Sequence, residues 1–220
     1  METNSRSTGL ENSTFIIGVI MLLGGQGARA WGEQYLSSGT TSLLFATVPL
    51  WVVMVGGIYF KKYIAKKTVL WTGVGLAGLV LLVLTLIESG MPSFRGGLFL
   101  IAGAFLWAVG SLYMRRTNHS QVSTISMSKQ MVLGGILLTV AGIVTGEYGS
   151  LDLSRISFQS FMGMMYMITI GSLLGFPIFV WLLQKTSEFV VNSFSFVSPV
   201  VAIIMGGTFL NESFDMHLIR

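Results

Sequence analysis

Residues 68–87 read TVLWTGVGLAGLVLLVLTLI, an uninterrupted apolar run of 20 residues without a charge. A helix rises about 1.5 Å per residue, so roughly 20 residues cover the ~30 Å hydrocarbon core of a bilayer. Six further stretches of similar character surround it, at 15–33, 38–60, 95–114, 127–146, 160–183 and 189–210. The chain therefore reads as an all-α, polytopic membrane protein of about seven transmembrane helices. The first stretch is the least regular, because Gln26, Arg29 and Glu33 fall in its second half. The last carries Asn192, Ser193, Ser195 and Ser198 in its first half.

Composition supports lipid as the solvent. Of the 220 residues, 52% are hydrophobic and only 10% charged, and the mean hydropathy is +0.75. A soluble domain carries about 25% charged residues to wet its surface. Cysteine is absent, which excludes disulfides, thiolate metal sites and thiol catalysis. The net charge of +4 forms no basic face with interleaved aromatics, so nucleic acid is not an expected partner. The opening METNSRSTGLENS has no basic region followed by a short apolar core and cleavage site, and no signal peptide is expected from it.

The cations instead orient the spans. KKYIAKK (61–67) follows the second span, Arg115 and Arg116 the fourth, and Lys185 the sixth; Lys129 reaches the same side from the start of the fifth. The opposite loops hold Arg95 and Arg155 with Glu88, Glu147 and Asp152. This alternation puts the N-terminus and loop 61–67 in the cytoplasm of a cell-membrane protein, and Arg220 outside.

The chain also resembles itself. Shifted by 150 residues, region 15–62 falls on 165–212 without a gap, with identities at Ile20/Ile170, Leu23/Leu173, Gly25/Gly175, Trp31/Trp181, Gln34/Gln184, Ser37/Ser187, Pro49/Pro199, Gly56/Gly206 and Gly57/Gly207. Several apolar matches are expected by chance, but prolines number only 4 and tryptophans 5 in the chain. The copies lie five spans apart, and an odd separation sends them through the membrane in opposite directions. The charges ending each copy agree, basic in KKYIAKK and acidic in NESFD (211–215). Inverted repeats of this kind build many secondary transporters. The same shift leaves spans three, four and five without partners, so the expected parent has ten spans in two halves of five.

These segments resemble the EamA family of the drug/metabolite transporter superfamily. GGLFLIAGAFLWAVGSLYMRR (96–116) is similar to the opening helix of an EamA half. SSGTTSLLFATVPLWVVMV (37–55) and EFVVNSFSFVSPVVAIIMGGTFLNE (188–212) resemble its fourth helix, and KTVLWTGVGLAGLVLLV (67–83) its fifth. Lys62 stands where the family often has Glu. The resemblance implies a ten-helix carrier of which this chain holds a polar tail (1–13), three helices of the first half (14–87) and four of the second (94–216). It implies a permease that moves small organic solutes by alternating access, and a form of 220 residues that does not transport by itself.

Candidate cavity or gate residues follow from backbone chemistry and polarity. Pro49 and Pro199 lie near mid-span, where proline frees a carbonyl and bends the helix; a packing kink is the plainer account. Gly175 and Pro177 interrupt span six at the depth where Gly25 and Gly27 interrupt span one, although glycine also serves close helix packing. Asn192, Ser195 and Ser198 share one face, a stripe that suits either a cavity wall or interhelical hydrogen bonds. Trp31, Trp71 and Trp107 are candidate interfacial anchors, and Trp107 with Trp181 can alternatively stack on a flat substrate. Arg29 and Glu33 read first as an interfacial ion pair; an arginine in a cavity would select anions. The Met162–Met167 cluster reads as adaptable packing.

Catalysis finds no support. No Asp or Glu lies at mid-bilayer, His119 and His217 fall in loops, and Asp152 and Asp215 sit outside the spans. No metal, cofactor or enzymatic motif is expected. The expected partners are the bilayer and a small-molecule substrate, with homo-oligomers allowed. A seven-span receptor is the alternative of another class, but span seven has no lysine to hold retinal. A non-functional fragment is the third reading.

Overall fold

A computed structural model describes residues 12–59, 61, 65–88, 94–116, 124–150, 152 and 156–209. The tail through residue 11, Lys62, His119, Arg155, NESFD, His217 and Arg220 lie outside the described residues. Within them the chain is helical: α1 (Asn12–Gly32), α2 (Ser38–Phe45), α3 (Val48–Ile58), α4 (Lys66–Glu88), α5 (Phe94–Arg116), α6 (Thr124–Val144), α7 (Phe158–Lys185), α8 (Glu188–Asn192) and α9 (Phe194–Phe209). Five helical stretches are long and apolar enough to cross a membrane among the described residues: α1, α2 with α3, α5, α6 and α7. The 23-residue α4 contains the uncharged apolar run 68–87. All seven predicted stretches are thus helical over most of their described residues, and the fold class stands.

Local chemistry explains the boundaries. Ser37, Ser157 and Ser187 cap α2, α7 and α8, each hydroxyl accepting from the backbone N–H three residues on, which satisfies a donor the helix cannot. Ser37 and Ser187 are partners in the 150-residue repeat, so the two copies start these helices by the same device. At its end α6 runs into Gly146, whose φ of +80° is a left-handed conformation that favours glycine.

The seam between α1 and α5 sets the arrangement. A Cβ on Gly110 would collide with Met21, one on Gly25 faces Trp107 at 3.3 Å, one on Gly103 meets Ala28 at 3.0 Å, and one on Gly32 would lie 2.6 Å from Leu100. As the residue number climbs on α1 it falls on α5, so the two helices are antiparallel, as the charge pattern requires. Small residues let the backbones close in where the hydrophobic effect gives no drive between helices. Beside this seam, α2 packs against α9 and α3 against α8. That crossing makes the Pro49 and Pro199 segments antiparallel too.

Two expectations change. Gly25–Gly27 and Gly175–Pro177 do not break their spans. Residues Gly18–Gly27 and Met167–Gly175 instead form wider π-type turns, and the helix continues through both. Bonding to the fifth residue keeps the backbone satisfied where an open break would strand it in lipid. In the methionine cluster, Met162, Met164 and Met167 lie on an exposed face of α7.

Candidate functional site

The buried centre of the bundle is aromatic and polar together. Phe45, Trp107 and Phe179 pack in one core with Val48, Val180 and Val191. The Trp107 ring lies 5.3 Å from that of Phe179 and 6.2 Å from that of Phe45, and Phe179 in turn lies 6.2 Å from Phe194.

A polar ladder crosses this core. Trp107, Ser111 and Arg115 follow one another at single-turn spacing on α5, and Glu188 and Asn192 do the same on α8. The Trp107 indole N–H donates to Asn192 Oδ1 at 3.2 Å, while Asn192 Nδ2 donates to Ser111 Oγ at 3.3 Å and to the Glu188 carbonyl at 2.8 Å. An indole can only donate and a carbonyl can only accept, so these partners fix the amide orientation. Asn192 is 0% exposed. At the helix ends Arg115 Nε stands 3.4 Å from Glu188 Oε1, and an Arg115 terminal nitrogen donates to the Thr186 carbonyl. Glu188 is itself buried, so the pair closes the end of the bundle that carries Arg116 and Lys185.

Ser195 extends the ladder by donating to the Asn192 carbonyl at 2.7 Å, and Ser198 donates to the Ser195 carbonyl at 3.0 Å. The latter bond bears on Pro199. A proline inside a helix leaves the carbonyl four residues back without its N–H, and here that carbonyl belongs to Ser195. The Ser198 hydroxyl covers it, so the freed acceptor is already occupied. Pro49 is fully buried at the start of α3, the turn where a missing N–H costs least.

The candidates thus separate. Asn192, Ser195 and Trp107 come together, and Pro199 follows one turn along α9. Gly175 and Pro177 sit at the junction from wide to regular turns in α7, just before Phe179. Trp181 stands apart, 53% exposed on the outer face of α7, whereas Trp107 is 5% exposed. Trp107 is packed in the core and is no interfacial anchor. Trp31 is held by its N–H to Glu147 Oε1 at 3.0 Å and by Phe99 edge-on at 4.5 Å, and Trp71 is exposed. Ser111, Phe179 and the Arg115–Glu188 pair were not singled out in sequence, where helical spacing shows that 107, 111 and 115 share a face but not what meets it.

Arg29 and Glu33 pair at 3.0 Å, as read from their spacing, and the Arg29 guanidinium also lies over the Phe45 ring, 5.1 Å from its centre. Among the described residues no group of His, Cys, Asp and Glu is placed to hold a metal.

The model of the EamA-like transporter family matches residues 94–219. The chain is 28% identical over 195 residues to the uncharacterized inner membrane transporter YedA of Escherichia coli, covering 87% of this chain and 60% of that protein. It is 22% identical over 193 residues to the uncharacterized transporter YvbV of Bacillus subtilis, covering 88% and 62%. A protein of Salmonella typhimurium named "Probable amino-acid metabolite efflux pump" is 20% identical over 183 residues, 81% of this chain and 61% of its own. The chain therefore spans about 60% of the length of the curated relatives it matches. With helices that cross a membrane several times and a family match over more than half its length, this chain belongs to the EamA-like transporter family.

Proposed function

We propose that this chain forms the central part of a carrier that moves small organic solutes across the cytoplasmic membrane by alternating access. The observation that carries the reading is the ladder between α5 and α8. It is a narrow polar seam beside an aromatic core, between two helices of the second half. Interhelical hydrogen bonds in membranes contribute about 0.6 kcal/mol each and up to about 1.7. Two such bonds and one partly exposed ion pair therefore add to a few kcal/mol at most, a gap that a bound solute can overcome. A gate must be held about this weakly.

In this reading Arg115, Glu188 and Asn192 close the cytoplasmic end, and the wide turns of α1 and α7 accommodate the rocking of one module on the other. The N-terminus and loop 61–67 lie in the cytoplasm, as the cations prescribe. Pro49, Pro199, Gly175 and Pro177 are the bending points, and Asn192, Ser195 and Trp107 line the route.

The chain has no cysteine, so single Ser111→Cys and Ser195→Cys variants report access directly. In oriented vesicles each thiol should react with a membrane-impermeant maleimide from both sides, and Glu188→Gln should raise the cytoplasmic rate. Thiols that react from neither side, or whose rate ignores Glu188→Gln, refute the gate.

A further inference from the structure

Between the first turns of α1 and α6 lies an open groove of about 630 Å³. In the orientation proposed above, this is the cytoplasmic end of both helices. Thr14 and Phe15 form its α1 wall, and α6 supplies the other wall from Ile125 to Ile136. Thr14 Oγ1 and Ser126 Oγ, 3.1 Å apart, tie the two helices together at the rim. At the floor a Cβ on Gly18 would lie 3.1 Å from Leu133 Cδ2, so the helices approach closely there. Deeper still, Gly134 sits against Leu22 and Gly27 against Leu138, and the pair interlocks.

The lining changes character with depth. Ser128 and Lys129 come one turn after the start of α6, and both are exposed. Lys129 is the only charged group among the described lining residues. Val132, Leu133 and Ile136 follow it with Phe15 opposite, and the wall from Ser128 to Ile136 runs about 12 Å. Phe15, Val132 and Ile136 are exposed, so the bundle leaves this surface to the membrane. A lysine at this depth keeps its ammonium at headgroup level by extending along the helix.

A cation at the head of an apolar channel favours one occupant. A second helix laid in the groove would desolvate the ammonium without neutralising it, and a lone charge among hydrocarbon is costly. A phospholipid brings an anion and a hydrocarbon chain in the same order as the lining. A zwitterionic headgroup offsets its phosphate with its own cation, whereas a net anionic one does not. We infer that the α1–α6 groove binds one anionic phospholipid of the leaflet at that end. Its phosphate lies at Lys129 and Ser128, and one acyl chain lies along Val132, Leu133 and Ile136. The lipid braces α6, which packs chiefly on α1, beside Gly18, where the wide turns of α1 begin. The site uses no residue of the ladder and does not depend on the carrier reading.

The absence of cysteine allows a single reporter. A bimane on Gly135→Cys stands next to Ile136 with nothing within 4 Å of its Cβ, and one on Gly78→Cys, equally open on α4, is the control. Full chains in dioleoylphosphatidylcholine nanodiscs receive equal small amounts of chain-brominated phosphatidylglycerol or phosphatidylcholine, whose bromines quench on contact. At Gly135 the phosphatidylglycerol should quench about fivefold more strongly, the preference one lysine gives for an anionic headgroup. At Gly78 the two lipids should quench alike. Lys129→Gln should abolish the preference and Lys129→Arg should keep it. Val132→Phe fills the groove without changing charge and should abolish it too, with the helix content unchanged by circular dichroism. Equal quenching at Gly135, or a preference that survives Lys129→Gln or Val132→Phe, overturns the site. A preference of the same size at Gly78 overturns it as well, since the attraction is then to any basic surface. Weak quenching by both lipids, with Val132→Cys cross-linking two chains, makes a second copy the occupant and removes the lipid.

Discussion

Replacing Asn192 by alanine tests the core of the structural reading. The side chain is fully buried and makes three hydrogen bonds, two of them to α5 and one to its own helix. Truncation removes both bonds between helices and strands the Trp107 N–H, whose partner was Asn192 Oδ1. Two interhelical bonds at membrane values contribute about 1–3 kcal/mol together, and an orphaned buried donor costs about 1–3 kcal/mol. The intrahelical bond to Glu188 adds little, because that carbonyl lies in the first turn. We expect a loss of about 2–4 kcal/mol, or roughly 30-fold to 1,000-fold in the unfolding equilibrium at about 1.4 kcal/mol per factor of ten. Unfolding in mixed micelles of increasing SDS fraction, followed by far-UV circular dichroism, measures it. A cycle with Trp107→Phe isolates the pair, and its coupling should reach about 1 kcal/mol. A destabilisation under about 0.5 kcal/mol, or strictly additive single changes, would refute the ladder as a structural seam.

Other outcomes follow from the same contacts. Gly110→Ala should destabilise by about 1–3 kcal/mol through collision with Met21, whereas Gly73→Ala, with nothing within 4 Å of its Cβ, should be neutral or stabilise by up to about 1 kcal/mol in the same assay. Single removal of Arg115 should cost more than removing both as leucines, since it leaves the buried Glu188 carboxylate alone; SDS titration of the two variants decides it. In single-tryptophan variants, brominated lipid should quench Trp71 and Trp181 and spare Trp107. A thiol placed at Ala65 should label from the cytoplasm and one at Ser157 from outside, and the reverse pattern would overturn the orientation.

The lengths and order of the helices were legible because lipid imposes a single rule: about 20 apolar residues with every backbone group bonded within the segment. The repeat was legible through sparse residue types, and the shared caps at Ser37 and Ser187 are its structural counterpart. Other features needed coordinates. Hydropathy cannot tell a core-facing tryptophan from an exposed one, so Trp107 and Trp181 looked equivalent until packing separated them. The wide turns in α1 and α7 were visible only as weak points, because Gly-Gln-Gly and Gly-Phe-Pro report a departure from the regular helix without saying which. In sequence Arg115 speaks only to orientation. Its partner lies 73 residues away on another helix, and a single sequence does not reveal that pairing.

The interdigitation of α1 with α5 restricts what the bundle can do mechanically. Met21, Gly25, Ala28 and Gly32 each meet a particular residue of α5, like teeth in a ratchet. Axial slippage by even one residue would swing those side chains by about 100° and drive leucine and tryptophan into backbone. The two rods therefore resist sliding past one another. An insertion inside either one should be tolerated only if the opposing rod changes length at the matching level.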